Sequence, residues 1–84
     1  MIFQYAHIGQ DVNVRQNETF IFVNNTSEPC QITGCEVLTR IPMSFAAGES
    51  QFATVKPGAT KGPHDYTHTC GLHKMDNPKI IVGG

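Results

Sequence analysis

The chain has 84 residues and a mass of 9.2 kDa, with 39% hydrophobic residues, only 15% charged residues and a formal charge of −1. This size fits one domain, residues 1–84, near the length at which metals, disulfides or oligomerisation supplement a small core. The low charge excludes a disordered polyelectrolyte and a coiled coil, and six basic against seven acidic residues exclude the basic surface a nucleic acid demands.

No apolar run approaches the roughly 18 residues of a membrane span. Met1-Ile2-Phe3-Gln4 carries neither a basic n-region nor the apolar h-region of a signal peptide. After the turn at Gly9-Gln10-Asp11, the stretch Asp11 to Arg15 alternates Val12 and Val14 with Asn13 and Arg15, the period of a half-buried strand. A turn at Gln16-Asn17-Glu18 leads into Thr19-Phe20-Ile21-Phe22-Val23, apolar on both faces and suited to a central strand. Asn24 to Pro29 reads as a loop, and Gly34 as a turn. Residues 36–53 carry the weakest pattern: Glu36 to Ile41 fits a strand, Met43 to Ala47 a short helix, and Pro42 forbids one helix through both. Gln51 to Val55 is a strand ended by the turn Lys56-Pro57-Gly58-Ala59, and Gly62-Pro63 is another turn. From Asp65 to Cys70, Tyr66, His68 and Cys70 share one face, against Thr67 and Thr69. A turn at Asp76-Asn77-Pro78 precedes a closing strand, Lys79-Ile80-Ile81-Val82. Short strands at regular spacing, with no sustained helical period, predict a sandwich or barrel.

Three cysteines leave one over from any pure disulfide framework, and four histidines and three methionines make the chain rich in soft and borderline metal ligands. The densest group is Cys70-Gly71-Leu72-His73-Lys74-Met75, a thiolate, an imidazole and a thioether between two predicted strands. Cys-x-x-His clips Zn²⁺ or copper, and the thioether shifts the preference toward copper. The bland readings are a buried apolar Cys70, a loop His73 and a core Met75. Cys30 is either a ligand or the partner of Cys35 in a disulfide across Gln31-Ile32-Thr33-Gly34, although an extended Cys30 to Ile32 sends the two cysteines to opposite faces. His68 belongs against the site or in the core, His7 and His64 on the surface or in turns, and Met43 in the core. The glycosylation-type triplets Asn17-Glu18-Thr19 and Asn25-Thr26-Ser27 carry no weight. Hydrolytic or phosphoryl chemistry finds no supporting motif, so the reading is a non-enzyme.

Three motifs in order resemble the cupredoxins, the plastocyanin-like blue-copper family. They are Phe20-Ile21-Phe22-Val23-Asn24-Asn25 followed by Pro29-Cys30, then Val55-Lys56-Pro57-Gly58-Ala59-Thr60, then Tyr66 to Cys70 with His73, Met75 and the closing Ile80-Ile81-Val82. The resemblance covers roughly residues 11–84. It implies an all-β fold, a small Greek-key β-sandwich of the cupredoxin type with about seven short strands. It also implies a copper site. The carried-over ligands are Cys30, Cys70, His73 and Met75, with Cys35 as a further candidate. Four departures stand out. Cys30 occupies the place of the family's first histidine ligand, a single residue, Lys74, separates His73 from Met75, the segment from Thr60 to Tyr66 is clipped, and Cys35 is additional.

Three functions follow. The first is electron transfer at a copper–thiolate site of one or two ions, toward a redox partner protein. The second is Cu(I) chaperoning or storage with a copper-delivery partner, by a monomer or a metal-sharing homodimer. The third is a structural zinc module of Cys30, Cys35, Cys70 and His73. The family resemblance implies a periplasmic or extracellular location.

Overall fold

The protein is described from a computed structural model covering residues 3–71, 73 and 74, and 78–83, with the backbone alone for 73 and 74. Among these residues there are ten short strands and no helix: β1 Tyr5–His7, β2 Val12–Arg15, β3 Thr19–Val23, β4 Cys30–Gly34, β5 Met43–Phe45, β6 Ser50–Thr54, β7 Gly62–Asp65, β8 Thr67–Cys70, β9 His73–Lys74 and β10 Lys79–Gly83. They form three sheets with strand orders β1-β3-β6, β2-β10-β7 and β5-β4-β8-β9.

Side-chain period decides which face each strand buries. In β3, Phe20 and Phe22 are fully buried, while Ile21 and Val23 are half-exposed on the outer face. The Phe22 ring meets Phe45 of β5 and Tyr66 edge-on, at centroid distances of 6.4 and 5.5 Å, so the first sheet packs across the core on the third. The second sheet adds Val12 and Val14 of β2, in parallel register with Ile80 and Val82 of β10, all four buried. One continuous apolar cluster joins the three sheets.

The expected strand from Asp65 to Cys70 is divided between two sheets. β7 pairs with β10 in the second sheet, β8 pairs with β4 in the third, and Tyr66 is the single residue between them. Its ring is fully buried. Its hydroxyl accepts from the Gly9 N–H at 3.0 Å and donates to the Gln10 carbonyl at 2.7 Å, which ties the β1–β2 turn to the sheet crossing.

Other expectations change with the tertiary context. Met43 to Ala47 is no helix: Met43 and Phe45 are buried around exposed Ser44 in the edge strand β5. Residues 36 and 37 turn, and Leu38 makes only an isolated bridge to Val55. Gly62-Pro63 is the start of a strand and not a turn. β7 lies at a sheet edge, where a proline's missing N–H costs no second ladder bond. Met43 belongs to the core, as expected.

Candidate functional site

The third sheet aligns three of the sequence candidates in one row. Cys30 of β4 pairs with Phe45 on one side and with Cys70 of β8 on the other, and Cys70 pairs in turn with His73 of β9. The alignment depends on a tight β8–β9 connection. Gly71 enters it with φ +59°, a left-handed conformation that a side chain disfavours, and its N–H donates to the Pro29 carbonyl at 3.0 Å. The Glu28 carboxylate occupies the space a Cβ at Gly71 would need. The β8–β9 turn and the loop before Cys30 therefore pack against each other.

Cys30 and Cys70 are joined by a disulfide, with Cα atoms 4.1 Å apart and 40 residues between them in sequence. The alternative bridge from Cys30 to Cys35 does not form, and Cys35 is a free, buried thiol. The reason lies in the strand direction. β4 carries the chain away from the Cys30–Cys70 end, and five extended residues span about 16 Å. Cys35 follows Gly34, which pairs with Thr67 at the other end of β8. Burial pushes the Cys35 thiol pKa up, partly offset by the backbone N–H groups of Val37 and Leu38. Cys35 therefore stands apart from the row. Among the described residues no three His, Cys, Asp or Glu side chains converge as a metal site. The expectation placed on Met75 lies outside the described residues, as does that on the His73 side chain.

Around the buried Cys30 sulfur the loop from Asn24 to Pro29 builds a polar cradle. Asn24 is fully buried. Its Nδ2 donates to the carbonyls of Glu28 and Ala46 at 2.8 and 2.9 Å, and its Oδ1 accepts from the Thr26 N–H at 3.1 Å. The Thr26 hydroxyl lies 2.7 Å from Asn24 Oδ1 and 2.9 Å from the Glu28 carbonyl, with one proton to give to either. Cys30 Sγ sits 3.2 Å from Asn24 Oδ1 and 3.6 Å from the Thr26 hydroxyl. The sequence places Asn24 and Thr26 only in motifs and assigns no role to Glu28. The signal was the Asn-x-Thr spacing, which favours a side-chain turn onto the backbone two residues on.

Beside the disulfide lies a cleft of about 490 Å³, lined by Cys70, His68, His7, Ile8, Thr26 and Glu28 among others. His7, assigned to the surface or a turn from sequence, is an exposed residue of this cleft wall. His68 is 3% exposed, on the same strand face as Tyr66. Its ring edge fills the space beside Gly9. Burial pushes its pKa down, so it is neutral near pH 7. His64 instead sits at the second sheet, where its Nδ1 lies 2.9 Å from the Glu36 carboxylate.

No family model matches the chain, and no curated protein matches it. Solved structures do. A Cu(I)-state mutant of amicyanin superposes with a TM-score of 0.65 at 16% identity, over 96% of this chain and 82% of that one. A reduced-state amicyanin mutant gives 0.66 at 16% identity over the same shares. Amicyanin from Paracoccus versutus gives 0.63 at 17% identity, over 96% and 81%. Amicyanin is a cupredoxin, and the fold of this chain is the cupredoxin β-sandwich. At this identity the likeness speaks to the fold alone.

Proposed function

We propose that the chain, with its disulfide opened, is a copper-binding cupredoxin-like protein that transfers electrons at a copper–thiolate site. The observation that carries this reading is the single row of Cys30, Cys70 and His73 in the third sheet of a cupredoxin sandwich. The residues fit the metal in one state only. A disulfide offers no thiolate, so the donor set exists when Cys30 and Cys70 are both free. Cys30 and Cys70 would then hold the ion with His73, and Met75 would be the fourth donor. Bound there, copper supplies one-electron redox chemistry. The work of the chain is to fix the donors: β4 and β8 set the two sulfurs side by side, and Gly71 turns the chain so that His73 follows in register. Asn24 and Thr26 keep the loop carrying Cys30 rigid. Two soft thiolates also favour Cu(I), which supports a second reading as a Cu(I) carrier or store with a delivery partner. By fold likeness the partner in electron transfer is a redox protein. A closed disulfide suits an oxidising compartment such as periplasm or extracellular space.

The test is an anaerobic copper titration of the reduced protein, followed by visible absorption and EPR. Intense thiolate-to-copper absorption with a four-line signal supports a mononuclear electron-transfer site. A seven-line signal supports two coppers bridged by the thiolates. A colourless protein that retains Cu(I) supports the carrier reading. A reduced protein that retains no copper overturns both.

A further inference from the structure

We propose that the Cys30–Cys70 bond is a two-electron thiol–disulfide exchange centre, opened at Cys70 through the cleft by a dithiol, and that only its reduced form takes up copper. The uptake half rests on the copper reading above; the exchange half does not.

The two sulfurs are unlike in surroundings. Cys30 is 2% exposed, whereas Cys70 is half-buried and lines the cleft with His7, His68 and Glu28. An incoming thiolate therefore reaches the Cys70 sulfur. Exchange requires that the other sulfur leave as a thiolate, and the cradle receives it. The Thr26 hydroxyl, 3.6 Å from Cys30 Sγ, can donate to the anion; once protonated, the Cys30 thiol can donate to Asn24 Oδ1 at 3.2 Å. Cys35, buried at the far end of β4, is not placed to intercept the intermediate. Because Cys30 and Cys70 are also the two thiolate donors of the copper reading, the bonded and metal-holding forms exclude each other.

The chemistry balances as follows. One thiolate of the dithiol attacks Cys70 Sγ, a mixed disulfide forms, and the Cys30–Cys70 bond breaks with its electron pair on Cys30. The second thiol of the reductant, as thiolate, then attacks its own sulfur in the mixed disulfide and releases Cys70 as thiolate. The reductant ends as a disulfide. The protein has gained two electrons, and two protons pass from the reductant to the protein or to water.

The test uses the whole native chain and dithiothreitol under anaerobic conditions. Reduction is carried out without denaturant, dithiothreitol is removed, the thiols are then counted in guanidinium, and Cu(I) retention is measured against a coloured Cu(I) chelator. Three free cysteine thiols replace the single one of Cys35 after dithiothreitol, and Cu(I) is retained only then. In a Cys35→Ala background, Cys70 in the Cys30→Ser variant reacts with iodoacetamide about tenfold faster, or more, than Cys30 in the Cys70→Ser variant. A disulfide that opens only in denaturant, or a Cys30 that reacts as fast as Cys70, overturns the exchange centre. Equal Cu(I) retention by the oxidised and reduced chains overturns the exclusion and leaves the copper reading standing. If the disulfide opens natively and neither form retains Cu(I), the exchange centre stands while the copper reading and the uptake it supports both fall.

Discussion

At His68 the fold keeps an imidazole only 3% exposed. The Nδ1 atom finds no hydrogen-bond partner among the described residues, and burial alone lowers the pKa below the ordinary 6.5. The unfolded chain therefore binds a proton more readily than the folded one. The contribution to stability is constant above pH 6.5 and is lost as pH falls below it, toward the lowered folded-state value. Replacing His68 by Phe removes that loss. Measured by urea unfolding from pH 7.5 to 5, the variant's stability declines less steeply than that of the wild type, by up to about 1.4 kcal/mol per pH unit. His64 acts with the opposite sign. The Thr60 carbonyl and then Glu36 raise its pKa, so its contribution is present below pH 6.5 and fades as pH rises through the raised value. Parallel slopes for the wild type and the His68 variant count against a buried neutral imidazole. Asn24 presents a second single-residue case. Asn24→Ala removes one of two donors from the Glu28 and Ala46 carbonyls, which keep the Thr26 hydroxyl and the Glu49 N–H, and leaves the Thr26 N–H without its partner. The expected cost is about 1–3 kcal/mol, read as a drop in urea midpoint with an unchanged m-value. A loss below about 0.5 kcal/mol means that water replaces the amide at little cost.

At the scale of elements, the sheet crossing at Tyr66 depends on one hydroxyl. It is buried with its ring, its pKa is pushed up to about 12 chiefly by that burial, and it holds the backbone of Gly9 and Gln10. Tyr66→Phe keeps the ring contacts with Phe22 and strands both backbone groups. The expected loss is roughly 1–3 kcal/mol, with the far-UV CD spectrum retained. A variant as stable as the wild type would show that the turn docks through its other contacts. The same crossing shows what the sequence could and could not convey. The alternation of Tyr66, His68 and Cys70 was legible, because the side-chain period is local. That the strand serves two sheets was not, because each partner, β10 and β4, is set by distant pairing. Gly62-Pro63 at the start of β7 signals a turn in sequence because the pair breaks a central strand, although not an edge strand. β5, at three residues, is too short for its alternation to separate strand from helix. In the site, the neighbourhood of Cys70 and His73 was readable from a compact motif. The partnership of Cys30 with Cys70 across 40 residues was not, since it arises from the β4–β8 register.

For the molecule as a whole, the disulfide carries a large share of a small stability. An 84-residue domain holds about 4–13 kcal/mol in total. On the chain-entropy model, a cross-link spanning 40 residues contributes about 4 kcal/mol. Opening it should lower the melting temperature of the metal-free chain by roughly 15–30 °C. The reduced chain is then marginal. A ligand that binds only the folded form restores part of the loss, about 2.7 kcal/mol at a hundredfold excess over its dissociation constant. Cu(I) added to the reduced chain should therefore raise its melting temperature by roughly 10–20 °C, and leave the oxidised chain unmoved. Differential scanning fluorimetry of the four combinations, oxidised or reduced and with or without Cu(I), measures both effects. The two parts of the functional reading shift the melting temperature in opposite directions. A reduced chain that melts as high as the oxidised one means that the disulfide is dispensable to the fold. A reduced chain that Cu(I) fails to stabilise means that Cys30 and Cys70, set side by side, do not hold the metal in the native state. Stabilisation of the oxidised chain by the same amount places the copper somewhere other than on these two sulfurs.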